Sequence, residues 1–183
     1  MDSGLTDFDA TLRDGRTVHL RAIRTADEAE LLQAFDRLSP DARYMRFMHA
    51  MREPNLDRLR KTLASLPERG ASIVATVPAA DGIDIVGSTT YMVESDPTKC
   101  EFAILVQADF GGTGLGRTLM TALIDLAKRR GLKTMEGFVL AENASMLGLA
   151  RRLGFEIKRD PDDASIRICT LQLDAQSPSS TEP

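Results

Sequence analysis

The sequence of 183 residues is poor in the groups that build metal centres, disulfide frameworks and membrane spans. It contains two cysteines and two histidines, all far apart. These cannot form a four-ligand zinc site, and two cysteines do not make a disulfide scaffold. Apolar runs such as 102–106 are far shorter than the ~20 residues that cross a bilayer. The N-terminus also lacks the basic start and apolar stretch of a signal peptide. We therefore expect a cytoplasmic protein with no metal and no membrane partner.

The chain also has no excess of basic residues. Lys and Arg number 23 against 27 Asp and Glu, which gives a net charge of −4. An acidic chain without a basic stripe is a poor electrostatic match to nucleic acid, so we expect no nucleic-acid partner. The length fits one domain. We predict this domain over residues 16–173, with a flexible N-terminal arm at 1–15 and a disordered Ser/Pro-rich tail at 174–183.

The period of the apolar residues changes along the chain, and this order predicts the fold class. An Asp14-Gly15 turn predicts a hairpin near the start. Further strands are predicted at about 18–24, 71–77, 83–93, 99–107, 138–140, 155–158 and 166–173. Helices are predicted at about 25–38, 40–48, 55–66, 114–130 and 144–153. Thr25 and Asn143 are predicted to cap the first and the last of them, and Ser39-Pro40 is predicted to start the second. The three central strands are joined by tight turns and predict an antiparallel meander. The whole pattern predicts a mixed α/β (α+β) fold, with a central sheet of about six to seven strands flanked by helices.

One glycine-rich segment carries the clearest chemical signal. Residues 106–118 read VQADFGGTGLGRT, with four glycines in six residues between a strand and an amphipathic helix. Glycines allow the backbone to approach a ligand and to point several N–H groups at one place. The N-terminus of a helix adds roughly half a positive charge there. The segment therefore predicts a phosphate-binding loop.

Three specific interpretations of this loop can be compared: a dinucleotide-binding site, a Walker P-loop and a turn that binds no ligand. A dinucleotide fingerprint needs Gly-x-Gly-x-x-Gly, but the spacing at 112–116 differs and the loop follows an antiparallel stretch. A Walker P-loop fits residues 111–118 except that Arg117 replaces the lysine, and no later strand ends in a metal-binding Asp. An NTP-binding protein of that kind would bind ATP with magnesium. A glycine turn without any ligand is the third alternative.

Two segments together resemble the signatures of the GNAT acetyltransferase superfamily. Val106 and the glycines of 112–116 match its acyl-CoA loop, Val-x-Pro-x-x-Gln/Arg-Gly-x-Gly-x-Gly. Residues 142–155 (ENASMLGLARRLGF) are similar to its second signature, an Asn followed by a helix and Gly-Phe. The segments 20–24 and 38–47 are similar to the GNAT domain of bacterial Pat-type protein lysine acetyltransferases. The resemblance covers about residues 16–173 and implies a GNAT-like acyl-CoA N-acyltransferase fold.

The resemblance implies a function and a set of site residues. It implies transfer of an acetyl group from acetyl-CoA to a primary amine by direct attack in a ternary complex. The acceptor would be a protein lysine or a small-molecule amine, and a homodimer is a reasonable expectation for this fold. A non-catalytic acyl-CoA-binding sensor or interaction module is the alternative. The residues expected to bind acetyl-CoA are Leu105, Val106, Gly111, Gly112, Thr113, Gly114, Leu115, Gly116, Arg117, Thr118 and Asn143.

Glu101 is the predicted catalytic base. It lies on the apolar strand that leads into the glycine loop, where partial burial would raise the pKa of its carboxyl group. A carboxylate can take the proton that an amine must lose before attack. The same position is acidic in Pat-type domains, where it is assigned as the base. The alternative is an exposed Glu101 paired with a nearby Lys or Arg.

Other positions follow the superfamily less closely. The resemblance implies that a backbone N–H near Val106 stabilises the developing oxyanion. Gly111 and Ala108 replace the usual Gln/Arg and Pro, which a loop acting through backbone amides tolerates. Ala150 stands where many members carry a Tyr that protonates the leaving thiolate, so the general acid has no evident owner. A methionine stripe, predicted as core or as part of an acceptor groove, consists of Met45, Met48 and Met51.

Overall fold

A computed structural model of the chain describes residues 4–48, 52–66 and 68–174, which form one sheet with helices on both faces. The strands are β1 Phe8–Thr11, β2 Thr17–Ala22, β3 Gly70–Ala79, β4 Gly82–Val93, β5 Lys99–Val106, β6 Thr134–Leu140, β7 Glu156–Arg159 and β8 Ile166–Gln172. The α-helices are α1 Glu28–Asp36, α2 Pro40–Phe47, α3 Leu56–Ser65, α4 Leu115–Arg129 and α5 Ala144–Arg152. The predicted mixed α/β class is confirmed.

The eight strands follow the order β1-β2-β3-β4-β5-β6-β8-β7. All neighbours are antiparallel except β5 and β6, which are parallel. The meander predicted from the central strands is therefore confirmed as β3–β5. Among the described residues no helix is both long and apolar enough to span a bilayer.

The sheet has more strands than predicted, and part of the predicted N-terminal arm is ordered. Phe8–Thr11 pairs with β2 from Phe8↔Leu20 to Thr11↔Thr17, across the turn predicted at Asp14-Gly15. The polar composition of this segment concealed the strand, because β1 is an edge strand with a largely exposed burial pattern. Its pairing with β2 and the burial of Leu12 against the core hold it in place. The predicted disordered tail lies outside the described residues beyond Asp174.

Helix starts predicted from capping residues form where expected, with one exception. The Ser39 hydroxyl accepts a hydrogen bond from the Ala42 N–H (3.1 Å), and the Asn143 side chain accepts one from Met146 N–H (3.1 Å). These bonds satisfy N–H groups that the helix itself leaves unpaired. The predicted cap of α1, Thr25, is wrong because Thr25–Asp27 forms a 3₁₀ turn before the helix. That turn is fixed by the Asp27 carboxylate, which accepts the Arg24 N–H (2.7 Å).

The largest helix packs along one face of the sheet and places the glycine loop at its end. The apolar stripe of α4 is buried against β3, β4 and β5, as the periodicity predicts. Its buried residues include Leu119, Met120, Leu123, Ile124 and Ala127. A smaller cluster of Ala34, Val74 and Ile85 lies under α1. The buried Gln107 amide donates to the Ala34 carbonyl (2.7 Å), so α1 is tied directly to the start of the loop.

Candidate active site

The parallel strands β5 and β6 separate after a short paired stretch. They pair only over three residue pairs, from Lys99↔Thr134 to Glu101↔Glu136. β5 nevertheless runs on to Val106 and stays paired with β4 as far as that residue. Within the described part of the chain, no strand covers the other edge of 102–106. A cleft therefore opens between β5 and β6, with free backbone groups along one wall.

An aromatic ring fills the closed end of this cleft. The Phe102 side chain is buried and lies directly on Gly137 of β6, where any Cβ atom would collide with the ring. It also packs edge-on against Phe155, with ring centroids 5.2 Å apart. Gly137 is required at this position because only a residue without a side chain leaves room for the ring. Phe102 thus acts as a wedge where the two strands begin to separate.

A cavity of about 350 Å³ occupies the cleft. It is lined by β5, the glycine loop, the β1–β2 hairpin, α2, β6 and α5. The structure brings together most of the predicted site residues around it. Those lining the cavity are Glu101, Leu105, Val106, Gly111, Gly112, Gly114, Gly116, Arg117 and Asn143.

Three predicted binding residues do not line the cavity. The Thr113 hydroxyl is buried and donates to the Phe110 carbonyl (2.6 Å), and the Thr118 hydroxyl donates to the Gly114 carbonyl (3.2 Å). Leu115 is fully buried in the core. The side chains of these three residues therefore shape the loop and the first turn of α4 from behind.

The loop adopts a conformation that depends on glycine. Gly112 and Gly114 have φ angles of 72° and 93°, in the left-handed region that other residues seldom adopt. Gly114 is the residue that precedes α4, so the unpaired N–H groups of the first helical turn begin there. The β1–β2 hairpin supports the loop from the other side, since Arg13 N–H donates to the Thr113 carbonyl (3.0 Å). The loop is thus held between the hairpin and the helix.

The cavity is basic although the chain is acidic. Its described lining carries four guanidinium groups against one carboxylate, that of Glu101, in a chain of net charge −4. The Arg13 side chain packs beside Gly114, where a Cβ would lie 3.6 Å from its Nε. Sequence reasoning identified only one of these arginines. The four are Arg13, Arg46, Arg117 and Arg152.

Sequence reasoning missed three of these arginines, Arg13, Arg46 and Arg152. They come from separate elements, and no local motif links them. Only their placement around one cavity shows that they belong together. The cavity is therefore suited to a polyanionic ligand.

The Glu101 side chain is exposed to the cavity, and the pKa of its carboxyl group is raised. Surrounding protein atoms remove water from its carboxyl group and raise its pKa, and the carboxylates of Glu94 and Glu136 raise it further. The guanidinium groups of Arg46 and Arg58 act in the opposite direction. No described Lys or Arg lies within 4.0 Å of the carboxylate, so the paired arrangement weighed from the sequence is not seen. Glu136 is a neighbour that the sequence analysis missed.

The remaining predicted positions are placed as follows. Asn143 caps α5 through its side-chain oxygen while it also lines the cavity, so its two predicted roles are compatible. Ala150 is fully buried and supplies no proton donor. Met45 and Met48 line the cavity, whereas Met51 lies outside the described residues.

Neither the cysteines nor a cluster of metal-ligating residues offers other chemistry in the described part of the chain. Cys100 and Cys169 are buried, and burial raises the pKa of their thiols to about 12 and about 11. Both thiols are therefore protonated and poorly reactive at neutral pH. The described ranges contain no group of three His, Cys, Asp or Glu side chains placed to hold a metal ion.

Comparison with known proteins agrees with this geometry. The Acetyltransferase (GNAT) domain family model matches residues 17–156. An acetyltransferase of Pseudomonas aeruginosa is 34% identical over 163 residues, which cover 89% of this chain and 88% of that protein. The GNAT domain of S. lividans PAT has a similar fold, with a TM-score of 0.82 at 21% identity over 91% of this chain and 96% of that chain.

A second solved structure is that of yncA from Salmonella typhimurium with its cofactor acetyl-CoA. Its TM-score is 0.66 at 20% identity, over 90% of this chain and 99% of that chain. The likeness to the two solved structures concerns the fold, and the family model and the Pseudomonas relative establish the family. The chain belongs to the GNAT acetyltransferase family.

Proposed function

We propose that this acetyltransferase transfers the acetyl group of acetyl-CoA to a primary amine by direct attack in a ternary complex. The observation that carries the proposal is the single cavity between β5 and β6. At that cavity a glycine loop at a helix N-terminus and a carboxylate of raised pKa, that of Glu101, line the same space. The two parts correspond to the two needs of the reaction: holding a phosphorylated acyl donor and removing a proton from the acceptor.

The residues around the loop fit CoA. The left-handed Gly112 and Gly114 expose the N–H groups at the start of α4, which are suited to phosphate oxygens. Arg13, Arg117 and Arg152 line the same cavity and add positive charge. The uncovered edge of 102–106 supplies backbone groups for the amides of an extended arm. When bound, acetyl-CoA supplies a thioester as the acyl donor.

Glu101 is proposed as the base. A lysine-type amine with a pKa of ~10.4 is almost fully protonated at pH 7, and the neutral form costs roughly 4.6 kcal/mol to reach. A carboxylate of raised pKa accepts that proton more readily than an ordinary glutamate. The leaving thiol needs less help: with a pKa near that of cysteine, about 8.5, it departs as a thiolate at a cost of about 2 kcal/mol at pH 7. The buried Ala150 is therefore compatible with catalysis.

Ligand-induced stabilisation tests the binding half of the proposal. At a hundred times its Kd, acetyl-CoA should stabilise the fold by about 2.7 kcal/mol and raise Tm by about 5–10 °C. CoA should act similarly and Mg-ATP should have no effect. A shift with Mg-ATP alone would favour the P-loop interpretation instead.

A substitution at Glu101 tests the catalytic half. Glu101→Gln should lower turnover by ~10²-fold or more while leaving the acetyl-CoA affinity unchanged. The matched control is Glu156→Gln, because Glu156 is an exposed glutamate of β7 that does not line the cavity. Binding of acetyl-CoA without acetylation of any amine by the unmodified protein would favour the sensor function.

A further inference from the structure

We propose that the acceptor is a free α-amino acid with an apolar side chain, whose carboxylate binds Arg46 while its α-amine faces Glu101. This inference rests on the proposed function and names the substrate class of the same cavity. It depends on the Arg46 side chain, which would have no role in the acetylation of a simple amine.

Arg46 is partly buried and has no polar partner among the described residues. Its side chain comes from α2, lines the cavity, and has its guanidinium carbon 4.9 Å from the centre of the Phe47 ring. Loss of water lowers the pKa of the guanidinium, and Glu101 and Arg58 are the charged groups that act on it. No described carboxylate lies within 4.0 Å of it, and no described oxygen accepts a hydrogen bond from it. Its five N–H donors are therefore left without a hydrogen-bond acceptor among the described residues.

Two other arginines of the chain show how such a group is paired within the protein. One turn earlier in α2, Arg43 donates to the carbonyls of Arg52 (3.0 Å) and Asp36 (3.2 Å). Arg21 forms two hydrogen bonds of 2.7 Å with the Asp27 carboxylate. A partly buried charge without such partners can gain them from a ligand. A carboxylate is the anion whose two oxygens match the planar guanidinium fork.

The charges around the cavity suit a zwitterion. Glu101 has Glu94 and Glu136 as acidic neighbours, and these favour an ammonium group on that side. Arg46 lines the same cavity and provides a positive group that an anion can bind. In an α-amino acid the ammonium and carboxylate groups are attached to the same carbon. Such a molecule carries one partner for the Glu101 carboxylate and one for the Arg46 guanidinium, both of which line this cavity.

The walls next to Arg46 indicate the kind of side chain. Ala42 and Met45 of α2, Met48 directly after that helix and the partly exposed Phe138 of β6 line the cavity. Methionine side chains adapt their shape to flexible apolar groups. By contrast, a protein lysine brings its amine on a long hydrocarbon stem with no carboxylate beside it, so that Arg46 would stay unpaired. A small apolar amino acid therefore satisfies more of the lining than a lysine does.

Each proton that moves in the proposed reaction has a donor and an acceptor. The α-ammonium group loses one proton to the Glu101 carboxylate, and the nitrogen lone pair forms an N–C bond with the acetyl carbonyl. The C–S bond breaks, and CoA leaves as a thiolate. After loss of the second amine proton the product is the N-acetylamino acid, and the thiolate takes up a proton to give CoA. Arg46 binds the carboxylate throughout and takes no part in proton transfer.

Three acceptors that share the same hydrocarbon side chain provide the test. L-norleucine carries the α-carboxylate, L-norleucinamide replaces it with a neutral amide, and pentylamine lacks it altogether. We expect kcat/KM for L-norleucine to exceed the other two by at least tenfold. Titration of L-norleucine into the CoA-bound protein should also show binding that pentylamine does not. Equal use of pentylamine, or preferential acetylation of a peptide with a lysine beside an acidic residue, would overturn the proposal.

Variants of Arg46 make the assignment specific. Arg46→Gln should raise KM for L-norleucine at least tenfold, change KM for pentylamine less than twofold, and leave the acetyl-CoA affinity unchanged. Arg46→Lys should restore part of the preference, because the charge remains but the fork is lost. The matched control is Arg60→Gln on α3, where Arg60 pairs with the exposed Glu28. An equal loss for both acceptors in Arg46→Gln would contradict carboxylate recognition.

The two levels of inference fail in different ways. If the protein does not bind acetyl-CoA, the proposed function itself is wrong, and the acceptor assignment falls with it. If acetyl-CoA binds and amines are acetylated without regard to the carboxylate, only the assignment of Arg46 is wrong. If acetyl-CoA binds but L-norleucine neither binds nor reacts, the amino-acid acceptor is likewise excluded.

Discussion

Glu101 and Glu136 form the last register pair between the parallel strands β5 and β6 before the strands diverge. Adjacent strands point paired residues to the same face, so the two carboxyl groups are neighbours at the closed end of the cleft. Thr170 of β8 donates a hydrogen bond to the Glu136 carboxylate (3.2 Å), which holds that group in place. The negative charge of Glu136 contributes to the raised pKa of Glu101, after the larger effect of burial. The position of the second carboxylate thus bears on the acidity of the proposed base.

The first prediction concerns the pH dependence of acetylation. A base must be deprotonated, so kcat/KM should fall as pH decreases through the pKa of Glu101, which lies above its usual value of 4.5. Glu136→Gln removes one neighbouring negative charge and should move this acidic limb to lower pH. A pH–rate profile measured with saturating acetyl-CoA gives the comparison.

Glu156→Gln serves as the control for this profile. Glu156 is paired with the same residue, Thr170, but from β7 on the far side of β8. The substitution changes the net charge by the same amount without touching the cleft. If the acidic limb of the pH–rate profile moves equally in Glu136→Gln and Glu156→Gln, the shift comes from overall charge and not from Glu136.

The second prediction concerns the stability of the Glu101→Gln variant. A raised pKa means that the folded protein disfavours the charged form of this glutamate compared with the unfolded chain. Its contribution to the free energy of unfolding therefore becomes unfavourable as pH rises above the pKa of the unfolded chain. Glu101→Gln should therefore raise Tm slightly at pH 7, by at most about 2 °C because the side chain is exposed. The difference should vanish below about pH 4. Thermal melts of both proteins at pH 7 and in acid measure it, and a lower Tm at pH 7 would disagree.

The third prediction concerns the wedge between β5 and β6. Gly137→Ala places a methyl group against the Phe102 ring and should cost about 1–3 kcal/mol, with a Tm lowered by about 3–10 °C. The control is Gly148→Ala in α5, where the nearest atom is the flexible end of Arg152 at 3.3 Å and helix propensity favours alanine. Combining Gly137→Ala with Phe102→Leu should recover part of the loss. Additive losses in the double variant would show that the two residues are not coupled.

The fourth prediction separates backbone strain from ligand binding at the two ends of α4. Gly114 precedes the helix with φ 93°, and Gly131 follows it with φ 81°. Alanine at either site should cost about 1–2 kcal/mol of stability through left-handed strain. Only Gly114→Ala should also weaken acetyl-CoA binding, by about tenfold or more, because only Gly114 lines the cavity. Urea unfolding and acetyl-CoA titration of both variants test this, and equal affinities would remove the loop from the binding site.

The fifth prediction concerns the buried ion pair that anchors the start of α1. Burial acts to raise the pKa of Asp27, but hydrogen bonds from Arg21 and from the Arg24 N–H outweigh it and lower the pKa. This stabilisation is present above the pKa of the unfolded chain, about 3.9, and is lost as pH falls through the lower folded value.

Removing one partner of this pair should be costly. Asp27→Asn should cost about 3–5 kcal/mol at pH 7 and less in strong acid. Glu28→Gln, at a solvent-screened pair with Arg60, should cost far less. Urea unfolding between pH 3 and pH 7 distinguishes them, and equal costs would be inconsistent with a buried pair.

Local sequence features predicted much of the architecture because their physics is local. The Asp14-Gly15 turn, the Ser39 and Asn143 caps and the apolar stripe of α4 all act within a few residues of themselves. The glycine loop is of the same kind, since its conformation follows from its own residues. Its position between a strand and a helix was therefore predictable. The strand β1 was not, because its stability comes from pairing with β2 rather than from its own composition.

The tertiary structure decided what surrounds the loop. Arg13, Arg46 and Arg152 come from three elements that share one cavity only after the sheet has formed. Glu136 becomes a neighbour of Glu101 through the single parallel pairing of the sheet, which joins residues distant in the chain. Sequence alone thus determined that a glycine-rich loop joins a strand to a helix and which carboxylate lies on that strand. The charges that shift the pKa of that carboxylate, and the guanidinium groups that line the same cavity, depend on contacts that no local pattern encodes.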